Sequence, residues 1–129
     1  MIEVKNLSKQ FKAPTEEKGL FGPKKKAFWA VKDLGFQIKK GSVASILGPN
    51  GCGKTTTLRM IAGMLTPSRG TVFVDSVDVR KDKQTVKSKI GYMTNNTSLY
   101  DRLSVIETVK FFAELNQISS DVYLSLIHI

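Results

Sequence analysis

One cysteine and one histidine are all that the 129 residues offer to thiol or imidazole chemistry. A single thiol, Cys52, forms no internal disulfide, and no zinc-ligand spacing is present. No run of about 18 apolar residues exists, which excludes a membrane-spanning helix. The opening Met1-Ile2-Glu3-Val4 lacks the basic-then-apolar pattern of a signal peptide and predicts a cytoplasmic protein. Acidic residues are also scarce, 11 against 20 Lys and Arg, giving a formal charge of +9. Residues 1–40 hold ten Lys against four Asp and Glu, hence +6. No aromatic residues alternate with these lysines and no helix-turn-helix pattern occurs, so no nucleic-acid partner is expected. With 41% hydrophobic and 24% charged residues the chain has the size of one globular domain or a piece of a larger one.

What the chain does contain is the stretch Gly48-Pro49-Asn50-Gly51-Cys52-Gly53-Lys54-Thr55-Thr56. It has the form G-x-x-x-x-G-K-[ST] of a phosphate-binding loop. Glycines at Gly48, Gly51 and Gly53 permit backbone conformations closed to other residues, so successive N–H groups can turn inward around a polyphosphate. Lys54 would reach the β- and γ-phosphates, Thr55 would place its hydroxyl on Mg²⁺, and Thr56 adds a second hydroxyl near the α- and β-phosphates. The apolar run Val43-Ala44-Ser45-Ile46-Leu47 before the loop reads as a buried strand. The segment from Thr55 to Leu65 reads as a helix with Leu58, Ile61, Ala62 and Leu65 on one face. Phosphates would then meet a helix N-terminus, whose free N–H groups favour anions. Cys52 sits inside this loop as a small residue with little room around it, and alkylation there is expected to block nucleotide.

Around the loop, Ile2 to Leu7 alternates apolar and polar residues as a half-buried strand does. Residues 12–27, with Pro14, Gly19, Gly22, Pro23 and the Lys24-Lys25-Lys26 cluster, read as an exposed, mobile basic insertion. Phe28 to Ile38 suggests a second strand paired with the first, and Lys39-Lys40-Gly41 a turn. Thr71 to Asp75 reads as a short strand whose course Val77-Asp78-Val79 continues after a kink. Gln84 to Lys89 is a helix candidate, and Ile90 to Met93 a buried strand. Ser104 and Glu107 fit a capping box that opens a helix to about Leu115, burying Ile106, Val109, Phe112 or Ala113, and Leu115. No internal repeat is evident.

Four blocks of this sequence coincide with one family pattern. They are N-L-S-K-Q-F at the start, A-V-K-D-L-G-F-Q-I from Ala30, G-P-N-G-C-G-K-T-T-T-L-R-M-I-A-G-M-L-T-P-S-R-G from Gly48, and I-G-Y-M-T…L-Y-D-R-L-S-V-I-E-T from Ile90. In order and spacing they resemble the ATP-binding subunit of ABC transporters over residues 1–120, and the stretch after Gly91 looks most like subunits of ABC-2-type exporters, including the sodium-efflux type. The resemblance implies an α/β fold: a P-loop NTPase core with an N-terminal antiparallel β subdomain, truncated before the family's signature and second acidic strand. It implies ATP and Mg²⁺ as cofactors. Phe11 falls where the family places an aromatic that stacks on adenine, with Phe28 or Trp29 as alternatives if the insertion moves the register. Asn95 stands where the family has a glutamine that senses the γ-phosphate and metal. Asn is one methylene shorter, so its metal contact would run through a bridging water.

The implied function is ATP binding by the energy-coupling subunit of a transporter, with hydrolysis driving transport in the intact parent. The implied partners are a transmembrane permease subunit and a second ATP-binding subunit, at the inner face of the cell membrane. Two alternatives stand beside it: a soluble relative acting on nucleic acid or the ribosome, and an inactive nucleotide-binding fragment. The family's catalytic glutamate and switch histidine fall downstream of these 129 residues, so no catalytic residue is assigned and turnover by this chain alone is not expected. Residues 121–129 leave the family pattern, and Leu124-Ser125-Leu126-Ile127-His128-Ile129 is what CTGTCTCTTATACACATC encodes, a transposase recognition end used in sequencing libraries. That tail, with its histidine, is expected to be an adaptor translation with no functional role.

Overall fold

A computed structural model describes residues 1–19, 22–94 and 102–125. They fall into two units, Met1–Gly91 and the residues from Tyr92 onward. In the first, β1 (Ile2–Gly19), β2 (Gly22–Ile38), β3 (Arg69–Val74) and β4 (Val77–Asp78) form one antiparallel sheet in the order β2-β1-β3-β4. Helices α1 (Lys54–Ile61) and α2 (Lys83–Lys89) complete the unit.

The alternating apolar residues of β1 find their core only because the strand is irregular. Strict alternation from Ile2 and Val4 would turn Leu7 to the opposite face. Asn6 instead takes φ 47°, the pairing register shifts between Val4 and Leu7, and both Val4 and Leu7 are buried. The partner strand makes a matching adjustment at Asp33, also at φ 47°. There the buried Ser8 hydroxyl accepts from the Asp33 amide at 2.9 Å and donates to Asp33 Oδ1 at 3.3 Å. Asn and Asp are the side chains that tolerate this left-handed conformation. The core gathers Val4, Leu7, Val31, Met60, Ile61, Val72, Val74, Val79 and Val86 between the sheet and the two helices.

Several expected elements take another form. Residues 12–19 and 22–27 are not a loop but the outer half of a long β-hairpin, with Lys12 opposite Ala27, Ala13 opposite Lys26 and Gly19 opposite Gly22. β3 pairs with β1 only from Ile2 to Ser8, so this ribbon runs beyond the third strand. A period-2 apolar signal is therefore not required there. Val77-Asp78 does not continue β3 but folds back on it, because Asp75 and Ser76 both adopt positive φ (44° and 67°), the two-residue hairpin geometry. The run Val43–Leu47 is not a buried strand. No described strand pairs with it, and Val43 and Leu47 are 98% and 89% exposed. Residues 91–94 likewise form no strand.

Helix α1 stops at Ile61 rather than Leu65. Gly63 takes φ 69°, and the amides of Met64 and Leu65 both return to Arg59 O, the left-handed ending that glycine favours. Its inner face is Thr57, Met60 and Ile61, and Leu58 points outward, 44% exposed. In the second unit, α3 (Val105–Leu115) opens on the expected capping box, with Ser104 Oγ accepting from the Glu107 amide and Glu107 Oε2 accepting from the Ser104 amide at 2.8 Å. Thr108 and Ala113 are buried there, whereas Ile106, Phe112 and Leu115 are exposed rather than covered. A short α4 (Ser120–Ser125) follows.

Acid should loosen the first unit, in which Glu3, Asp75, Asp78 and Asp82 are all held below the usual carboxylate range. The hydrogen bonds from the Thr85 hydroxyl and amide hold Asp82, the α2 cap, below the usual range. At Asp78 burial pushes upward, but bonds from Thr71 Oγ1 (2.6 Å) and the Arg80 amide (2.8 Å), with the Lys81 and Arg80 charges, outweigh it. A folded-state pKa below the unfolded one contributes stability that is present at neutral pH and lost as pH falls through the folded value. The melting temperature is therefore expected to drop between about pH 5 and pH 3, and Asp78→Asn should flatten that drop. A pH-independent melting temperature over this range would refute the assignment.

Candidate functional site

The loop after the exposed segment 43–47 is shaped by its glycines. A turn closes with Cys52 N donating to Pro49 O at 3.4 Å. Gly51 and Gly53 take φ 83° and 94°, in the left-handed region that L side chains avoid. Gly53 is the N-cap of α1 and contributes no side-chain cap, and no acidic residue stands in the first turn. The first helical bond runs from Thr57 N to Gly53 O at 2.8 Å. The amides of Lys54, Thr55 and Thr56 precede it and have no acceptor within the helix. Amides that have no acceptor within the helix, with no acidic residue in the first turn, make a helix start that favours negative charge.

Lys54 supplies the matching charge. Its Nζ folds back over the loop and donates to Gly48 O at 2.6 Å and Pro49 O at 2.8 Å, with Cys52 Sγ at 4.0 Å. Both carbonyls belong to exposed residues, so an incoming phosphate can take over this ammonium at small cost. Thr55 is exposed on the first turn, Thr56 is half-buried and Thr57 is buried in the core. Cys52 is exposed and is the space-filler of the loop: a Cβ at Gly48 would lie 2.7 Å from its sulfur. Asn50 and Pro49 are exposed on the turn. Among the described residues no cluster of His, Cys, Asp or Glu could hold a metal ion. The donor set fits a cation carried in by phosphate oxygens and met by one hydroxyl, that of Thr55.

The loop is braced against the sheet where sequence spacing carries no signal. A Cβ at Gly53 would stand 2.3 Å from Ala30 O and 3.0 Å from Val31 Cγ2, so the start of α1 lies directly on β2. Two residues back along that strand is Phe28, which pairs across the ribbon with Phe11. The two rings lie 5.9 Å apart, tilted by 34°. Lys9 Nζ sits over the Phe11 ring, 5.2 Å from its centre, and donates to Thr66 O just beyond α1. Lys9 thus links the Phe11 ring to the segment that follows α1, across a stretch where the β1–β2 register shifts between Lys9 and Gln10. Trp29 is elsewhere, its ring engaged by the Arg69 guanidinium at 5.2 Å. The structure thus brings Phe28 to Phe11 and separates Trp29 from both. Asn95 lies outside the described residues.

Comparison with known proteins gives a consistent answer. Residues 31–128 match the family model described as ABC transporter. The chain is 47% identical over 96 residues to the ABC transporter ATP-binding protein NatA of Bacillus subtilis, covering 74% of this chain and 39% of that protein. It is 33% identical over 113 residues to the probable multidrug ABC transporter ATP-binding protein YbhF of Escherichia coli, covering 88% of this chain and 17% of that one. Among solved structures it is similar to a dimeric ATP-binding cassette in a post-hydrolysis state bound to ADP and Pi. The TM-score is 0.73 at 26% identity, over 95% of this chain and 52% of that one. The chain therefore spans well under half the length of these two sequence relatives.

Proposed function

The chain belongs to the ABC transporter family, and on that premise we propose that it forms the phosphate- and base-holding part of an ATP site that energises transport in its parent protein. The α/β fold with an antiparallel N-terminal sheet is that of the family's nucleotide-binding cassettes. The observation that carries the reading is the ammonium of Lys54, held over a loop whose following amides have no helical acceptor. In this reading the backbone from Gly48 to Thr56 wraps the phosphates and Lys54 exchanges its two carbonyls for β- and γ-phosphate oxygens. The base lies at the Phe11–Phe28 pair. The Thr55 hydroxyl is the group of this chain that would hold Mg²⁺, which when bound would neutralise charge on the phosphates.

The proposed partners are a transmembrane permease subunit and a second ATP-binding subunit, at the cytoplasmic face of the membrane; among the described residues no helix is long and apolar enough to cross it. ATP would move such an assembly only by its differential affinity for two states. The NatA relative supports the choice of an energy-coupling subunit. Thermal unfolding of the chain with increasing Mg-ATP tests the nucleotide site. A ligand at 100 times its Kd adds about 2.7 kcal/mol to the folded state. The midpoint is expected to rise with Mg-ATP and with magnesium tripolyphosphate. A cooperative transition that ignores both would defeat the proposal.

A further inference from the structure

We infer that an open concavity at the sheet, where the bend of β1 meets the turn after β4, binds the phosphate group of a monoester or of pyrophosphate. It shares no residue with the proposed nucleotide site. Its volume is about 650 Å³, and Lys5, Asn6, Thr71, Asp78, Arg80 and Lys81 line it. Backbone geometry gathers these residues. Asn6 bends β1 at φ 47°, and Gly70 lies so close to the bend that an added methyl would collide with Lys5 O and Asn6 O. After β4, the Arg80 amide donates to Asp78 Oδ1 at 2.8 Å and the Lys81 amide to Asp78 O at 3.0 Å. Both side chains therefore start from a fixed backbone.

The groups left over are donors. Arg80 gives one nitrogen to Gly70 O at 3.3 Å and keeps the rest of its guanidinium fork open. Among the described residues nothing bonds the Lys81 ammonium or the Asn6 side-chain amide, and Asn6, Arg80 and Lys81 are all exposed. Neither Arg80 nor Lys81 is in an ion pair with a described residue. The Lys5 ammonium is held in place, 3.0 Å from Glu3 Oε2 and 5.1 Å from the centre of the Phe73 ring. The one lining carboxylate, Asp78, already accepts through Oδ1 from Thr71 Oγ1 at 2.6 Å and from the Arg80 amide. Three cations against one engaged carboxylate favour an anion. A carboxylate ligand would satisfy the Arg80 fork alone. A phosphate monoester brings three acceptor oxygens and about two negative charges, which suit the fork, the Lys81 ammonium and the Asn6 amide together.

Titration of the isotope-labelled full chain with sodium pyrophosphate, without magnesium and followed by amide NMR, reads the site residue by residue. The amides of Asn6, Arg80 and Lys81 are expected to shift along one saturation curve. They should do so equally in Lys54→Ala, which separates them from any anion held at the phosphate loop. Arg80 is exposed, so Arg80→Gln should fold as the parent does and weaken the curve about tenfold or more. Lys81→Gln should weaken it less, and Arg80→Lys should recover part of the loss. Asp78→Asn, which keeps an acceptor for Thr71 and the Arg80 amide, should tighten it. Vesicles of phosphatidic acid, with phosphatidylcholine as control, separate the sources of the phosphate. Selective broadening of the same amides by phosphatidic acid identifies a lipid headgroup, and saturation by pyrophosphate alone identifies a soluble ligand. Shifts that do not saturate, that sodium chloride reproduces at matched ionic strength, or that persist unchanged in Arg80→Gln would overturn the inference and leave the nucleotide reading untouched.

Discussion

Lys54→Ala is expected to abolish nearly all of the rise in melting temperature produced by Mg-ATP while leaving the unliganded melting temperature almost unchanged. The two halves of this result have separate causes. Without ligand, Lys54 Nζ only bridges the carbonyls of Gly48 and Pro49, both in exposed residues, so water replaces the ammonium when it is removed. With ligand, the same ammonium would meet phosphate oxygens, and a hydrogen bond to a charged group is worth about 1.5–3 kcal/mol. That corresponds to roughly a 10- to 100-fold loss of affinity. A stabilisation of about 2.7 kcal/mol at 100 times Kd shrinks to about 0.4 kcal/mol when Kd rises a hundredfold at the same ligand concentration. Lys54→Gln, which keeps most of the length without the charge, should behave like alanine. A full shift in either variant would show that the loop does not hold phosphate through this residue.

The conformation of the glycine-rich loop was legible in the sequence because it is local. The requirement for left-handed backbone at Gly51 and Gly53 is met by residue type, and the structure gives both positive φ. The strands of the antiparallel sheet were legible for a similar reason, since Ile2, Val4, Val72 and Val74 share a face by simple alternation and meet in one core. What the residues did not reveal depends on neighbours. The apolar run Val43–Leu47 signals a need for burial but not its partner, and in the structure it has none among the described strands. The ribbon beyond Phe11 carries no apolar period, so its pairing left no trace in the pattern.

Some signals were present but ambiguous. Asp75-Ser76 reverses the chain through a conformation more often encoded by Asn-Gly. Asn6 and Asp33 mark the irregularities that return Leu7 to the core, yet either residue type would be equally at home in an ordinary exposed position. The bracing of Gly53 by Ala30 and Val31 joins residues more than twenty positions apart and has no spacing signature at all.

That bracing makes Gly53→Ala the substitution with the largest combined effect. Gly53 takes φ 94°, and the left-handed conformation costs an L-residue roughly 1–2 kcal/mol. The added methyl would also stand 2.3 Å from Ala30 O, a backbone atom that no rotamer change can move. Relief requires β2 and the start of α1 to part, and overpacking of this kind costs typically 1–3 kcal/mol. The sum, about 2–5 kcal/mol, is a large share of the roughly 5–15 kcal/mol that holds a domain folded. The internal controls are on the same chain. Gly41 and Gly51 have φ 77° and 83°, and a methyl added at either would meet nothing within 4 Å, so their alanine variants should show the conformational cost alone. Gly70, whose added methyl would meet Asn6 O at 2.2 Å and Lys5 O at 2.3 Å, should be destabilised as severely as Gly53. Gly70 braces β3 against β1, however, away from the loop, so in whatever fraction of Gly70→Ala remains folded the Mg-ATP response should persist. In Gly53→Ala the amides of α1 move with the helix, and both stability and the nucleotide response should fall together. Urea unfolding midpoints for the four alanine variants, each with and without Mg-ATP, resolve these contributions. A Gly53→Ala chain as stable as Gly41→Ala and equally responsive to nucleotide would show that the contact between α1 and β2 does not set the geometry of the loop.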